Sequence, residues 1–457
     1  MKIAFIVEFP TQFEVPFYQY VAKELKAEGG RRKAEGERLR AASDSSFDSS
    51  FDSSFDSAQD DMAQDDMAQD DVAQDDMAQD DVVQDDVAQD DVAQDFDSLP
   101  TGQAGAQSDK EFDFHVIYNN TDQQDYHDFE LGKKVGWGFN LYEGYTHFIA
   151  DSNDIVNSVD EIITREKYDF IILNGYKNSY KGLAELCKSK NIPIALRIDS
   201  VLYNLSPVKK LLKRIYLPFA YRKFDHFFAV GSETKRFLNW LGIANHRISY
   251  FSYSVDEKWF KTLSGDLESV NELKKTLQIK NETVLLSVAK FVPRESPWDV
   301  LEAFKLLNDQ NLVLLLVGDG EERRSLENFA KQNNHLKIIF AGYAPYQELP
   351  YYYGLSTIFI HAAKNEPWGV SVHEAISCDC TVITSDMVGS SKDLISEGVN
   401  GFTYSFGDYT YLANQIQESV ILNRSKKNEI NQLVLETWGY QSMWKEIKKA
   451  ALRHNHK

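Results

Sequence analysis

Residues 365–375 are NEPWGVSVHEA, and they place two glutamates, Glu366 and Glu374, eight positions apart. The apolar run before this segment predicts a strand, Pro and Gly permit a tight turn, and the following residues predict a helix. The first glutamate would lie in the loop and the second inside the helix. This layout suits a sugar nucleotide, because helix N–H groups can hold phosphate while carboxylates take sugar and ribose hydroxyls. Glutamates at this spacing are common, so the interpretation depends on the rest of the chain.

The formal net charge of −21 comes almost entirely from one segment of the chain. Residues 43–108 contain 20 Asp and no Glu, Lys or Arg, which leaves a net charge of about −1 for the remainder. A nearly neutral foldable part has no overall field that would select nucleic acid. We therefore expect no nucleic-acid partner.

Short repeats fill this acidic segment. A four-residue unit, Ser-Ser-Phe-Asp, is followed from Ala58 by a five-residue unit, Ala-Gln-Asp-Asp-Met/Val. A period of five gives the apolar residue neither a constant helix face nor a strand face, and the charges oppose burial. A calcium-binding or partner-binding array is the less favoured alternative. Calcium loops need Gly, and none occurs between Gly36 and Gly102. We predict a low-complexity, disordered insert within residues 29–110.

The remaining residues, roughly 375, exceed what one hydrophobic core usually serves. Strands alternate with helices twice, which predicts the α/β class with two Rossmann-like, doubly wound domains and a ligand cleft at the strand ends. We assign residues 1–250 to the first domain and residues 251–430 to the second. A final helix within 431–457 is predicted to pack back on the first domain. The predicted strands include Ile3–Val7, Phe112–Tyr118, Val284–Val288, Leu312–Val317, Leu336–Phe340 and Thr357–His361.

Several motifs together resemble the retaining glycosyltransferases of family 4, which have the GT-B fold. They are Val317–Glu321 (VGDGE), Ala341–Tyr343 (AGY), Glu348–Tyr353 (ELPYYY), the two glutamates, and Gly398–Phe402 (GVNGF). The resemblance covers nearly the whole chain outside roughly residues 29–110, and it is strongest between Val284 and Tyr404. It is weaker in the first half, where it rests on segments such as Trp137–Gly138 and Leu141–Tyr145.

The resemblance implies transfer of a sugar from a nucleotide-diphosphate sugar with retention at the anomeric carbon. A departing diphosphate gains charge, so preorganised cations and N–H dipoles lower the barrier. The implied catalytic residues are Glu366, Lys290 and Arg294. The family usually has a second cation at the position where this chain has Glu295, so we assign that role to Arg294. The implied donor-binding residues are Gly318, Gly342, Tyr343, Trp368, Gly369, Val370, Ser371 and Glu374.

The acceptor side would be formed by loops after strands of the first domain. Candidate residues are Thr11, Gln12, Asn174 and Asp199. The loop that holds Thr11 and Gln12 lacks the Gly-Gly pair of many relatives, and Asn174 follows a strand after which many relatives have His. For Asp199, a turn-stabilising role is as plausible as contact with an acceptor hydroxyl.

We predict no cofactor and no metal site, because no His/Cys/carboxylate cluster has zinc spacing and Asp95-Phe96-Asp97 lies in the acidic insert. The N-terminal Met1–Val7 resembles a buried strand rather than a signal peptide. Three cysteines are too few for a disulfide framework. These features favour a cytoplasmic protein, with possible peripheral attachment to the inner face of the membrane.

A basic, amphipathic helix is predicted over residues 207–223. Its apolar stripe contains Val208, Leu211, Leu212, Ile215, Tyr216 and Phe219. Such a helix can lie on anionic lipid, which would suit a lipid-linked acceptor. A helix whose apolar stripe packs into the core is slightly favoured on the sequence alone.

The primary hypothesis is a hexosyltransferase-type enzyme (EC 2.4 class) that acts on a glycan or lipid-linked acceptor in surface polysaccharide or lipopolysaccharide biosynthesis. One rival is another GT-B enzyme, such as a sugar-nucleotide epimerase, which would need no acceptor. The other rival is a non-catalytic homologue that binds nucleotide sugar without turnover, which the replacement at Glu295 would permit.

Overall fold

The computed structural model describes residues 1–8, 11, 14–45, 111–119, 125–128, 133–136, 140–177, 180–203, 205–422 and 424–455. The chain divides into two compact units, residues 1–29 with 111–457, and residues 30–110. In the second unit the described residues continue a helix that ends at Ser45. Of the disordered insert predicted within residues 29–110, residues 29–45 belong to this helix instead. Residues 46–110 lie outside the described residues, as do Gln12 and Trp137–Gly138.

Two separate parallel sheets form the larger unit. The strands that precede the second sheet are β1 (Lys2–Val7), β2 (Asp113–Tyr118), β3 (Asp125–Asp128), β4 (Lys133–Gly136), β5 (Thr146–Ile149), β6 (Phe170–Asn174), β7 (Ile194–Ile198), β8 (His226–Ala229) and β9 (Ile248–Tyr250). Within the described residues, the first sheet has the order β5-β2-β1-β6-β7-β8-β9, and β3 pairs with β4 as an antiparallel hairpin.

The second sheet follows the same principle. Its strands are β10 (Thr283–Val288), β11 (Leu312–Val317), β12 (Ile338–Gly342), β13 (Ile358–His361), β14 (Thr381–Ser385) and β15 (Gly401–Tyr404). In the described part of the chain their order is β12-β11-β10-β13-β14-β15. Strands such as β11, with every residue buried, are nearly continuous apolar runs because helices cover both faces of the sheet.

Helices connect these strands and cover both sheets. The helices up to the second sheet are α1 (Val15–Ser45), α2 (Ile155–Glu166), α3 (Lys181–Ser189), α4 (Pro207–Tyr221), α5 (Ser232–Trp240), α6 (Glu257–Ser264) and α7 (Leu267–Thr276). The later helices are α8 (Pro297–Leu307), α9 (Arg323–Gln332), α10 (Leu349–Leu355), α11 (Val370–Ser377), α12 (Ser391–Leu394), α13 (Tyr409–Val420), α14 (Arg424–Trp438) and α15 (Tyr440–His454). Two doubly wound α/β sheets confirm the predicted fold class.

Helix α15 packs on the first sheet although it follows the second sheet in the chain. The indole ring of Trp444 meets Phe112 and Phe114 edge-on, with ring centroids 6.0 and 5.7 Å apart. Met443 and Ile447 share the same buried cluster. The domain boundaries at residues 250 and 430 remain a prediction, since both sheets belong to one compact unit.

The predicted apolar stripe of α4 does not pack into the core, although the helix itself does through other residues. The six apolar residues of the predicted stripe are between 52 and 70% exposed. The helix instead buries Leu217, Ala220 and Tyr221, while Lys213 and Arg214 lie over the rings of Phe237 and Trp240. Lysine and arginine stems can cover apolar surface, so these two side chains help to pack α4 against α5.

Replacing Trp444 by Ala tests the packing of α15 on the first sheet. The side chain is 3% exposed, so its loss should lower the free energy of unfolding by about 3–5 kcal/mol. Lys449→Ala on the same helix removes a side chain that is 60% exposed and should change the value by no more than about 0.5 kcal/mol. Guanidinium unfolding followed by fluorescence and circular dichroism measures both, and equal effects would contradict the packing described.

Candidate functional site

The predicted catalytic residues meet where the strands of the second sheet end. Nη1 of Arg294 lies 3.0 Å from Oε2 of Glu366, and its Nη2 lies 2.8 Å from Oε1 of Glu295. The main-chain N–H of Lys364 donates to the carbonyl of Arg294 at 2.7 Å, which joins the loop after β10 to the loop after β13. Glu295, the departure from the family pattern, is 8% exposed. Arg294 therefore pairs with a buried carboxylate as well as with Glu366.

Glu366 is held mainly through its backbone. Its N–H donates to the carbonyl of Met387, and its own carbonyl accepts from the N–H of Gly389 at 2.8 Å. The hydroxyl of Tyr203, from the first sheet's side, donates to the same carbonyl at 2.6 Å. The carboxylate of Glu366 takes no part in these bonds. It accepts from Arg294 and, at 3.5 Å, from the N–H of Trp368.

The turn before α11 requires glycine. Gly369 has a φ of 91°, and a Cβ there would lie 2.9 Å from Cγ1 of Val388. The residue stands at the N-terminus of α11, next to Val370 and Ser371. The first N–H groups of a helix have no acceptor within the helix, and the helix dipole adds positive potential there. The predicted phosphate-binding groups are therefore brought together at one helix end.

His361 also faces this helix end and was not predicted as a site residue. It is the last residue of β13, with Nδ1 3.5 Å from Oγ of Ser371. Its Nε2 is buried and has no hydrogen-bond partner among the described residues. A Cβ on Gly369 would approach this nitrogen to 3.3 Å. Its position at the carboxyl end of a parallel strand was a usable signal, because that edge commonly faces the ligand.

Glu374 occupies a buried position beneath α10. It is 3% exposed, and its Oε2 accepts a hydrogen bond from the hydroxyl of Tyr353 at 2.7 Å. Burial raises the pKa of this carboxyl to about 7. The bond from Tyr353 occupies one of the several acceptor positions of this carboxylate. The ribose role of Glu374 stays a prediction.

Trp368 lies between the two sheets. The side chain is 1% exposed, and its Nε1 donates to the carbonyl of Tyr253 at 2.8 Å. Its ring packs against Trp438, with centroids 5.4 Å apart, and against Gly231, where a Cβ would come within 2.4 Å of the ring. The predicted contact of Trp368 with a donor would require this packing to open.

Asp393 makes a second connection between the sheets. Its Oδ2 accepts from the backbone N–H of Ser232, at the start of α5, at 2.8 Å. Neighbouring Lys392 pairs with Glu233 at 2.5 Å. Burial raises the pKa of Asp393 to about 7, against the opposing effect of the hydrogen bonds from Ser232.

Gly318 and Gly342 bring strand ends together. A Cβ on Gly318, whose φ is 146°, would lie 1.9 Å from the carbonyl oxygen of Ala289. The N–H of Gly318 donates to the carbonyl of Gly342 at 2.8 Å. Tyr343, which follows, is 38% exposed. The absence of a side chain at Gly318 therefore lets its backbone approach that of Ala289 closely. This contact lies beside Lys290, which is half-buried in the loop after β10.

On the predicted acceptor side, Thr11 and Asn174 meet at Glu14. Nδ2 of Asn174 donates to Oε1 of Glu14 at 3.2 Å, and Oγ1 of Thr11 lies 3.5 Å from the other carboxylate oxygen. Glu14 also pairs with Arg197 at 2.6 Å. Arg197 is 1% exposed, so this ion pair is buried at the edge where the strands of the first sheet end.

Asp199 joins the same group through an aromatic residue. Its Oδ2 accepts from the hydroxyl of Tyr253 at 3.3 Å. The guanidinium of Arg197 lies between the rings of Phe251 and Tyr253, 4.1 and 4.3 Å from their centroids. Neither Glu14 nor Arg197 was assigned a role from the sequence, although a charged residue in the buried strand IALRI was a signal for a long-range partner.

In the described part of the chain, no group of three or more His, Cys, Asp or Glu residues is arranged to hold a metal ion. The absence of a metal from the reaction stays a prediction. None of the helices that the structure describes combines the length and apolar composition that crossing a bilayer requires.

Two family models match the chain and together cover more than half of it. The model described as Glycosyltransferase Family 4 matches residues 103–259. The model described as Glycosyl transferases group 1 matches residues 269–433. The boundary between the two matches falls between the two sheets.

Curated relatives match parts of the chain. The uncharacterized glycosyltransferase MJ1178 of Methanocaldococcus jannaschii is 25% identical over 135 residues, which span 30% of this chain and 37% of the relative. The uncharacterized glycosyltransferase MJ1069 of the same organism is 22% identical over 239 residues, spanning 50% and 58%. The chain thus matches less than two thirds of the length of either relative.

Solved structures share the fold over most of the chain. Anabaena Alr3699/HepE in complex with UDP has a TM-score of 0.60 at 16% identity, covering 74% of this chain and 92% of that one. A glycosyltransferase from Rickettsia africae has a TM-score of 0.58 at 16% identity, covering 76% and 91%. Two parallel sheets whose strand ends carry the site define a GT-B glycosyltransferase architecture. The chain belongs to glycosyltransferase family 4.

The buried carboxyl of Glu374 predicts a pH-dependent stability. Its pKa is about 7 in the folded protein against an ordinary value of 4.5, so between these values the folded state binds more protons and stability falls as pH rises. The full difference is on the order of 3 kcal/mol. Glu374→Gln keeps an acceptor for Tyr353 and should gain stability relative to the wild type from pH 5 to pH 8.

Thermal unfolding across this pH range, with exposed Glu268→Gln as the matched control, measures the effect. Asp393 contributes a slope of the same sign to all three proteins, and the difference between proteins removes it. A constant difference between Glu374→Gln and the wild type would contradict the raised pKa.

Proposed function

We propose that this chain transfers a sugar from a nucleotide-diphosphate sugar to a glycan or lipid-linked acceptor, with retention at the anomeric carbon. The observation that carries the proposal is the ion pair of Arg294 and Glu366 beside the N-terminus of α11. Such a carboxylate can accept hydrogen bonds from sugar hydroxyls, and the adjacent helix N–H groups can hold phosphate, which supports the proposal. The related Anabaena HepE structures contain UDP or UDP-glucose, which supports a nucleotide-sugar donor.

In this mechanism the residues of the chain stabilise the departing diphosphate. Lys290 and the N–H groups of Gly369, Val370 and Ser371 would face the charge that develops as the glycosidic bond breaks. Arg294 already contacts two carboxylates, so we assign it chiefly to orienting Glu366. Positive potential from the lysine and the helix end would allow the step without a metal or other cofactor.

We further propose a cytoplasmic location and a role in the assembly of a surface polysaccharide or lipopolysaccharide, with a hexose as the transferred sugar. The cluster of Thr11, Asn174 and Asp199 around Glu14 and Arg197 would line the acceptor side. The buried ion pair would hold the strand-end loops at a fixed distance from the donor residues.

Substitutions at the donor site test the proposed chemistry. Glu366→Gln and Lys290→Ala should each lower transfer roughly a hundredfold or more. The first variant loses the carboxylate that positions the transferred sugar, and the second loses a cation that faces the departing diphosphate. Exposed Glu268→Gln and Lys305→Ala are the matched controls and should keep full activity. Release of nucleoside diphosphate from a panel of nucleotide sugars, with and without acceptor, measures the rates, and unchanged melting temperatures show intact folds.

The same assay distinguishes the rivals. Conversion of the donor sugar without any acceptor would favour an epimerase. Calorimetric binding of a nucleotide sugar with no turnover would favour a non-catalytic homologue. Near-normal transfer by both Glu366→Gln and Lys290→Ala would refute the assigned site.

We also propose that residues 207–223 attach the protein to the inner face of the membrane. Leu211, Ile215 and Phe219 are 62, 69 and 70% exposed on one side of α4, and a helix with such a face can insert among lipid headgroups. An apolar patch of this kind on a soluble surface commonly marks an interaction site.

Removing apolar surface from α4 tests this attachment. Leu211→Ser with Ile215→Ser should lower co-sedimentation with vesicles roughly tenfold or more, because the transfer of apolar surface from water drives insertion. Leu267→Ser with Ile421→Ser removes equally exposed apolar side chains elsewhere and should leave binding unchanged. Equal vesicle binding by all three proteins would exclude α4 as the attachment.

A further inference from the structure

A cavity of about 490 Å³ lies between α3 and α4, apart from the donor and acceptor residues described above. Its lining includes four basic residues and one acidic residue, namely Lys181, Lys188, Arg222, Lys223 and Glu185. Glu185 is paired with Lys223 at 2.5 Å. The lining therefore has a net charge of about +3, in a chain that is nearly neutral outside its acidic insert.

The positive potential of this cavity acts on a tyrosine in its wall. The pKa of Tyr216 is lowered by a hydrogen bond with Tyr176 and by the positive charges of Lys181 and Lys223. The heads of Lys181, Lys188 and Arg222 belong to exposed residues, so the charge faces the opening rather than the core. This cluster of positive charges suits a phosphate group, which accepts charge-assisted hydrogen bonds from Lys and Arg.

The apolar face of α4 borders the same cavity. Tyr216 and Phe219 belong both to the lining and to the exposed apolar stripe. The guanidinium of Arg222 lies 4.0 Å from the ring centroid of Phe219, where charge and apolar surface meet. A free phosphate ion would gain nothing from this apolar border, whereas a phospholipid presents an anionic headgroup directly beside apolar chains.

We propose that the α3–α4 cavity binds the phosphate headgroup of an anionic membrane phospholipid while the apolar face of α4 inserts beside it. The inference rests on the membrane attachment proposed above and names its lipid partner. The cavity selects the headgroup, and the stripe supplies the nonspecific part of the binding. Tyr176, two residues after Asn174 at the end of β6, places this lipid site next to the predicted acceptor side.

Vesicles that differ in headgroup chemistry test the proposal with the full-length chain. One set contains phosphatidylcholine with phosphatidate, a second contains phosphatidylcholine with oleate at the same measured surface potential, and a third contains phosphatidylcholine alone. The wild type should bind the phosphatidate vesicles most tightly. Changing Lys181, Lys188 and Arg222 to Gln should weaken binding to phosphatidate vesicles roughly tenfold to a hundredfold and should remove the preference over oleate.

A matched triple variant separates the cavity from general charge. Lys258→Gln, Lys275→Gln and Lys331→Gln remove three exposed lysines from other helices and should retain the preference for phosphatidate. Equal losses on phosphatidate and oleate vesicles for the cavity variant, or the same loss for the matched variant, would overturn the headgroup site. Calorimetric binding of inorganic phosphate to the wild type without vesicles, as tight as its binding to phosphatidate vesicles, would instead assign the cavity to a free anion.

The membrane attachment, the headgroup site and the glycosyltransferase function can each fail separately in these measurements. If the wild type binds no vesicle, the membrane attachment fails together with this inference. If it binds phosphatidate and oleate vesicles equally, the headgroup site alone fails. Nucleotide-sugar affinity, measured by calorimetry without vesicles, should be the same for the wild type and both triple variants, so that failure of the glycosyltransferase proposal appears in a separate measurement.

Discussion

The close contact between Gly231 and the indole ring of Trp368 determines how the site is assembled. The space for a Cβ on Gly231 is already occupied by the ring and by the carboxylate of Asp393, so the chain can pass there only as glycine. Trp368 stands between Glu366 and Gly369 in the sequence. The contact therefore places both the site carboxylate and the start of α11 against the first sheet. The bonds from Trp368 to Tyr253 and from Ser232 to Asp393 reinforce the same joint.

The charges of the site are largely matched within the protein. Arg294 contacts Glu295 and Glu366, and Arg197 contacts Glu14 while two backbone carbonyls accept its other N–H groups. A buried guanidinium needs this degree of pairing because desolvation of a lone charge is costly. The consequence is that the fixed backbone dipoles at α11 become important for an anionic ligand, because the first N–H groups of a helix carry positive potential.

Much of the fold could be predicted from the sequence because parallel strands buried on both faces are continuous apolar runs. The strand predicted at Leu312–Val317 is observed at those residues, and the predicted strand at Leu336–Phe340 is displaced by two residues to Ile338–Gly342. The pattern of apolar residues within one β-strand does not reveal which side chains from distant parts of the sequence will contact it. The pairing of Arg197 with Glu14 and the buried position of Glu374 under Tyr353 depend on tertiary packing, as does the exposure of the apolar stripe of α4.

The return of α15 to the first sheet affects the order in which the protein can be completed. Phe112 and Phe114 leave the ribosome long before Trp444 and Ile447, the residues that cover them. The core of the first sheet therefore cannot be completed during synthesis before α15 has been made. Until α15 has been synthesised, the aromatic surface that contains Phe112 and Phe114 stays open to solvent, where nascent-chain chaperones or early contacts between neighbouring chains can reach it.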